Sequence, residues 1–523
     1  MIPSTDLFLL IHSMTKPEKG YFKKFREGHK TDGNYIKLFD AINAQKVYNE
    51  AALKKKFEKE SFINQFPFYK NYLYNLILKS LVVFHAENTS NARIAELMRR
   101  TEILIDKGMV VQAGKSLKEA KELAIKYEKY SMLQDILPLE VHIHYRTEPW
   151  SKGSIEKIDC IYKEQKEALE RTRLIVDNLY TCNYLYNRFF IREDIPKAYR
   201  VSDKKAEQML LEMNKDNKFK SFDSQRIFYY TGATFYGSID HGGAQSLAYL
   251  KKTVNHFNAY PHQLKERIRN YADQLYSYMQ NALFVGNIKD YKDGRTKLME
   301  LWKNLPSASN TEFNKLKIPV SILHSDLYYY YRTCQFERVT EVISELKKNN
   351  IFERIGEMSI PVYGSFFYMS RLQILYNIGC LFFYSKDYAR ALQWLSMLWN
   401  DKKDKALYVE VYHSIVVSII CHYEMGKMDS MKYLMSGITK SVKVEGRYKK
   451  IGEVFCPAML QLAKCNTEAE KVQVFERMKK GLTQYQGLLE EFTTFNLLLW
   501  IESKLKKKPA ALVLKEYMKN RDS

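Results

Sequence analysis

From residue 372 to residue 399 the chain reads LQILYNIGCLFFYSKDYARALQWLSMLW, with apolar positions recurring every three or four residues on both sides of a polar break at Ser385, Lys386 and Asp387. Residues at that spacing share one face of an α-helix. The stretch therefore predicts two amphipathic helices joined by a tight turn, a helical hairpin. Gly379 and Ala391 stand where the two helices would cross, and small side chains there let the backbones approach closely.

The same texture recurs along the chain. A helix over 93–107 is closed by Gly108, and 110–127 follows with Ala113, Leu117 and Ala120 on one stripe. Further hairpins are expected over 178–205, turning at Glu193-Asp194, and over 229–254, with Gly232 in its first helix and a turn at 240–243. The series continues over 271–302 with a break at Gly286, 322–346 turning at Cys334-Gln335, and 412–438 turning at Gly426. Successive turns at 240, 286, 334, 386 and 426 lie 40 to 52 residues apart. That regularity is the mark of a solenoid, in which each unit packs on its neighbours.

Residues 1–90 differ in style. Thr15-Lys16-Pro17-Glu18 has the form of a capping box and starts a helix through Phe25. After a loop at 28–33 come helices over 35–42 and, capped by Asn49, 51–57. A turn at Gln65-Phe66-Pro67 leads into a long helix over 70–81, with Leu73, Leu76, Ile77 and Leu81 on its apolar face and Lys70, Tyr72, Asn75 and Lys79 along its edge. Two readings fit: a helix-turn-helix module offering Lys, Asn and Tyr to DNA, or a helical cap on the array. Residues 451–523 continue helical, with breaks expected at Pro457, Asn466-Thr467 and Gly487 and an apolar helix over 488–505, read as closing helices or a dimer surface. The expected organisation is all-α: an N-terminal helical module (1–90), an α-α superhelix of antiparallel hairpins (91–450) and closing helices (451–523).

At 372–399 the pattern reaches a known family. Leu375-Tyr376-Asn377-Ile378-Gly379, Phe382, Asp387-Tyr388, Ala391, Leu395 and Leu398 resemble the tetratricopeptide repeat almost position by position. Lys386 replaces the family's turn glycine, no Pro closes the unit, and the spacing exceeds the family's repeat of about 34 residues. The stretches 93–121 and 412–438 are similar but looser. The resemblance implies a groove lined by first-helix residues, which here are Gln373, Tyr376, Cys380, Phe383 and Tyr384, and in the preceding hairpin His324, Tyr328, Tyr331 and Arg332. It also implies a protein or peptide partner. The run 70–81 followed by such an array further resembles a group of bacterial helical-repeat proteins of Bacteroidota type.

Composition narrows the rest. With 523 residues, 46% hydrophobic and 27% charged, but 21 Gly and 12 Pro, the chain has the apolar content of a folded protein and too few turn residues for a β-sandwich or barrel. A formal net charge of +22 fits either a nucleic-acid partner or Lys on many outward helix faces. Seven cysteines without CxxC spacing fit a reducing compartment. The apolar run at 7–11 is too short for a signal peptide, and no run reaches the ~18 residues of a membrane span. A soluble, cytoplasmic protein is expected.

Catalytic motifs fail their tests. At 237–244 two glycines have phosphate-loop spacing, but Gly243 and Ala244 stand where Lys and Ser or Thr are needed. His241-Gly242-Gly243 has no GxSxG nucleophile to serve. His142 and His144, two apart on a helix, point away from each other, and Cys421-His422 has the wrong spacing for a shared metal. No enzyme activity, cofactor or metal is expected. Thirty-nine tyrosines favour a recognition surface. The leading expectation is a protein- or peptide-binding scaffold. The alternative is nucleic-acid binding, either DNA through the N-terminal module or RNA through a basic, Tyr-lined groove.

Overall fold

A computed structural model describes residues 5–27, 33–86, 89–190, 203–215, 218–239, 243–305, 312–358, 366–399, 409–441, 446–485 and 494–522. Among them every regular element is helical, 26 α-helices and two short 3-10 segments. The expected turn at Glu193-Asp194, residues 240–242 of another and the break at Gly487 lie outside the described residues.

Helix termination follows one geometry. An α-helix leaves its last four carbonyls without intrahelical partners. A residue in the left-handed region can reverse the chain and satisfy two of them. Gly108, Gly286 and Gly426 do this at φ 75°, 81° and 70°, and Glu128, Cys334, Lys386 and Lys507 do it at 51° to 61°. At 386 the Lys386 N–H donates to the Phe383 carbonyl and the Asp387 N–H to the Phe382 carbonyl, both at 2.9 Å. The same bond pair closes Ser90–Asp106 (Gly108 to Ile105, Met109 to Leu104) and Val409–Glu424 (Gly426 to Tyr423, Lys427 to His422). Lys386 thus holds the backbone conformation that the resembled repeat gives to glycine.

The chain divides into two compact units. The first comprises Met1–Phe228, His256–Ile268 and Leu305–Asn314. Its N-terminal core gathers Leu7, Ile11, Phe22, Leu38, Phe39, Ile42, Leu73 and Ile77 from helices Asp6–Ser13, Lys16–Glu27, Asn34–Asn43 and Phe66–Phe84. The helix Asp6–Ser13 was legible in the sequence only as a short apolar run. The capping box forms: the Thr15 N–H and hydroxyl donate to Glu18 Oε2 at 2.6 and 2.8 Å, and the Glu18 N–H points back at Thr15 Oγ1. A second core packs Ile94, Leu97, Ala113, Leu117, Ala120, Leu133 and Ile136 from Ser90–Asp106, Val110–Lys126 and Tyr130–Thr147.

The segment 178–190 is helical, with its expected turn outside the described residues, but it is the end of a longer helix, Lys152–Phe190, of 39 residues. No Gly or Pro interrupts it after Gly153, and Ile158, Ile161, Ala168, Asn178 and Leu185 keep one buried edge along it. In the second unit, Pro457 lies inside helix Gly446–Leu462 and does not break it. The fully buried Phe455 and Met459 beside it offset the lost backbone hydrogen bond.

The second unit comprises Tyr229–Asn255, Arg269–Asn304 and Lys315–Ser523. Helices Phe366–Tyr384 and Tyr388–Trp399 cross where the sequence places small residues. A Cβ on Gly379 would sit 2.5 Å from Leu395 Cγ, and Ala391 and Leu395 are fully buried. Substituting Gly379→Ala is expected to destabilise the protein by about 1–3 kcal/mol through overpacking. Lys386→Gly should stabilise it by about 0.5–1 kcal/mol by relieving left-handed backbone. Urea unfolding followed by circular dichroism measures both, and a neutral Gly379→Ala would contradict the close crossing.

Candidate binding surfaces

Helix Phe366–Tyr384 is apolar around its whole circumference, and such a helix is expected to be covered on all sides. The structure covers it. Tyr376 and Tyr384 are 4% exposed and Phe383 2%. Phe383 meets Phe495 edge to face at 5.1 Å, and Tyr384 stacks on Phe336 at 5.0 Å. Tyr331, also buried, joins through Tyr384 at 5.9 Å. Arg332 is buried too: its Nε donates to the Leu283 carbonyl at 3.0 Å and its Nη1 meets Met518 Sδ. Tyr328 is half-buried and stacks on Tyr331 at 5.9 Å. Gln373 is half-buried, its amide reaching Glu410 at 3.4 Å. The groove candidates thus come together as an aromatic interior and not as an open face. Phe495, a residue from far along the chain, covers Phe383 and Tyr384.

Buried polar groups line the same unit. The buried Tyr376 borders a small cleft with Tyr412, His413, Val416, Ile451, Phe495 and Leu497. Asp326 accepts from the Tyr291 hydroxyl and from Arg295 Nε and Nη2, the last two at 2.7 Å. Burial and Asp326 raise the Tyr291 hydroxyl's pKa, and the hydrogen bond to Asp326 raises that of Arg295, so the phenol keeps its proton and the guanidinium its charge. His324 is paired with the Tyr276 hydroxyl at 2.6 Å through Nδ1, and burial pushes its pKa down to about 4. Burial does the same to His413. These groups hold helices together and present no nucleophile to solvent.

Among the described residues, no three His, Cys, Asp or Glu side chains are close enough to share a metal ion. His144 is buried and bonded to Ser154 at 2.8 Å, while His142 faces solvent, as their helical spacing requires. Among the described residues no helix is long and apolar enough to cross a membrane.

The N-terminal unit offers a more open surface. Tyr72, Asn75 and Lys79 line one half-open groove with Phe68, Asn71 and Leu76, with about 140 Å³ of free space between their side chains. That is roughly the room a single aromatic ring needs. Phe68 is 58% exposed, and Tyr72 packs on Tyr35 at 4.6 Å and stacks with Phe68 at 6.3 Å. The Asn75 amide donates to the Asn71 carbonyl at 2.9 Å and to its Oδ1 at 3.3 Å. Lys70 does not join them. It is largely buried and pairs with Glu50 at 2.6 Å, with its ammonium over the Phe66 ring. The Lys70 hydrogen bond is the main reason that the Glu50 carboxyl is lowered to about 2. Phe68 and Asn71 were missed in the sequence, although 68, 71, 72, 75 and 79 are one helix face by spacing alone.

No protein-family model matches the chain, and no curated protein matches it either. The functional reading rests on these surfaces.

The buried histidines make stability depend on pH with a definite sign. Unfolded histidine takes up its proton near pH 6.5, whereas His324 and His413 in the folded chain wait until about pH 4. Between those values the unfolded state binds more protons, so stability is full above about pH 6.5 and falls as the pH drops toward 4, by up to roughly 1.4 kcal/mol per pH unit for each group. Melting temperatures between pH 7 and pH 4.5 should show this fall, and His324→Gln should make it shallower. An unchanged slope in the variant would remove His324 from the account.

Proposed function

We infer that this chain is a non-enzymatic binding protein, a tetratricopeptide-like α-solenoid that acts as a scaffold for a polypeptide partner in the cytoplasm. The recurring helix, left-handed turn and antiparallel helix supports the repeat reading, as does the close crossing at Gly379 and Ala391. Seven cysteines, none of them in a disulfide among the described residues, support a reducing setting. The observation that carries the binding reading is the exposed groove on helix Phe66–Phe84.

Apolar residues left exposed in a contiguous groove are characteristic of interaction sites. The groove suits one apolar or aromatic side chain of a partner between Phe68, Tyr72 and Leu76. The amides of Asn71 and Asn75 stand beside it for the partner's backbone, and Lys79 stands at the edge for a carboxylate. Tyrosine and phenylalanine supply large contact area at little cost in side-chain entropy. The interior tyrosines of the second unit take no part in this contact.

The same groove favours a second reading through a specific feature. Stacked rings beside amides and a lysine can also hold an unpaired base. With Lys70 bound to Glu50, the cationic contribution there falls to Lys79, which weighs toward the polypeptide.

The test compares the wild-type chain with a Phe68→Asp, Tyr72→Ala variant, each immobilised and exposed to the same cell extract. Polypeptides retained by the wild type and lost by an equally folded variant are expected, and identical retention by both would refute the site. A gel-shift assay with single-stranded oligonucleotides at two salt concentrations separates the readings. A steep salt dependence abolished in the variant would replace the polypeptide with nucleic acid.

A further inference from the structure

Helices Ser90–Asp106, Val110–Lys126, Tyr130–Thr147 and Lys152–Phe190 follow one another through short connections, so each runs antiparallel to the one before it. The connections 107–109 and 148–151 therefore fall at the same end of this bundle. Two side-chain approaches fix that end. A Cβ on Gly114 would lie 3.5 Å from Ile143 Cγ2, and His144 bonds Ser154 at 2.8 Å. Around the two connections five large apolar side chains stand in water. Trp150 is 74% exposed, Val111 64% and Ile155 55%, and Tyr145 and Met109 are exposed as well. The Trp150 and Tyr145 rings lie together with centroids 5.1 Å apart. Of the chain's five tryptophans, Trp150 alone is exposed. Single exposed aliphatic side chains are ordinary on any protein surface. An exposed indole is a different feature, because large aromatic rings carry the most apolar area that contact with a partner can remove from water.

We propose that this end of the bundle docks on an anionic lipid surface, with Trp150 and Tyr145 at headgroup level and Val111, Met109 and Ile155 reaching the acyl boundary. Three features select a lipid surface as the partner. The first is residue type. Tryptophan and tyrosine join an apolar ring to one polar N–H or O–H, and that combination concentrates them where bilayer meets water. The second is shape. Val111, Tyr145 and Ile155 come from three different helices, and Met109 and Trp150 from the two connections. With most of its surface in water, the Trp150 ring has no walls around it to receive a rigid ligand. Separate side chains on a projecting end suit a fluid partner that closes around each of them, whereas a protein partner needs a matching set of pockets.

The third feature is charge. Within 106–115 and 145–157, Lys107, Lys115, Arg146, Lys152 and Lys157 are all exposed. They outnumber the acidic residues there, Asp106, Glu148 and Glu156, the last of which pairs with Lys152 at 3.9 Å. Lysine and arginine stems can lie along an apolar boundary while their charges remain among phosphates. The chain's net charge of +22 adds attraction toward an anionic membrane at longer range. Among the described residues no helix is long and apolar enough to cross a bilayer, so the contact proposed is peripheral.

Flotation of the full chain with mixed phosphatidylcholine–phosphatidylglycerol vesicles, beside pure phosphatidylcholine vesicles, is the test. Binding to the mixed vesicles is expected at low salt, weakening as salt is raised and accompanied by a blue shift of tryptophan emission. Trp150→Ala should abolish that shift and lower the vesicle partition coefficient by about tenfold or more. The double variant Val111→Asp, Ile155→Asp should bind as weakly, with circular dichroism unchanged in both because all three positions are exposed. Val176→Asp, equally exposed but roughly 30 Å further along the long helix, should bind as the wild type does. So should the Phe68→Asp, Tyr72→Ala variant, which keeps this surface distinct from the groove on Phe66–Phe84. A wild-type chain that does not float at low salt would overturn the proposal, as would a Trp150→Ala variant that floats equally well. Equal, salt-independent binding to pure phosphatidylcholine would overturn the anionic character of the surface. Polypeptides retained from cell extract by the wild type and lost by Trp150→Ala, with neither chain floating, would give this end to a protein partner instead.

Discussion

The constraint on which this structure depends is the need to end a helix without stranding its carbonyls. At seven places the chain meets it in the same way, with one residue in the left-handed region whose N–H and whose successor's N–H turn back onto the finished helix. The turn consumes few residues, so the next helix starts beside the last one and runs antiparallel to it. Hairpins follow from this local chemistry. Their packing then follows from which residues stand at the crossings. Gly379 against Leu395 and Gly232 against Tyr249 are approaches that a Cβ would block.

Once hairpins form, the distribution of apolar residues decides what is left for a partner. Helix Phe366–Tyr384 has no polar side wide enough to face water, so the unit closes over it with Phe336 and Phe495. Two of the buried polar clusters there are paired within the protein: Asp326 with Tyr291 and Arg295, and His324 with Tyr276. The first unit is less self-sufficient. Helix Phe66–Phe84 buries Leu73 and Ile77 on one side and leaves Phe68, Tyr72 and Val82 in water on the other. Lys152–Phe190 does the same with Ile155, Tyr162, Leu169 and Val176. Apolar surface that folding does not remove from water is the surface that binding can use.

How far each of these features could be read in the sequence depends on the range of the interaction behind it. The capping box at Thr15 and Glu18 spans three residues, and the turn signals at Gly108, Gly286 and Gly426 are local backbone requirements, so both were legible. The extent of Lys152–Phe190 was not, because it depends on a buried edge read over 39 residues. The fate of Lys70 depends on Glu50, twenty residues earlier and on another helix. Phe68 and Asn71 were legible by spacing but draw attention only when the opposite face is known to be buried.

The sequence by itself determined the all-helical character, the places where many of the helices end and the residues at which two helices can cross. Each of these is set by backbone geometry and by side-chain size within a few positions. The stretch 372–399, with its resemblance to a tetratricopeptide hairpin, specified its own two helices and turn. Only the tertiary structure decided that Tyr376, Phe383 and Tyr384 are interior and that Tyr72, Asn75 and Lys79 share an open groove. Exposure is a property of everything that packs against a residue, and for Phe383 the decisive neighbour, Phe495, comes from a distant part of the chain.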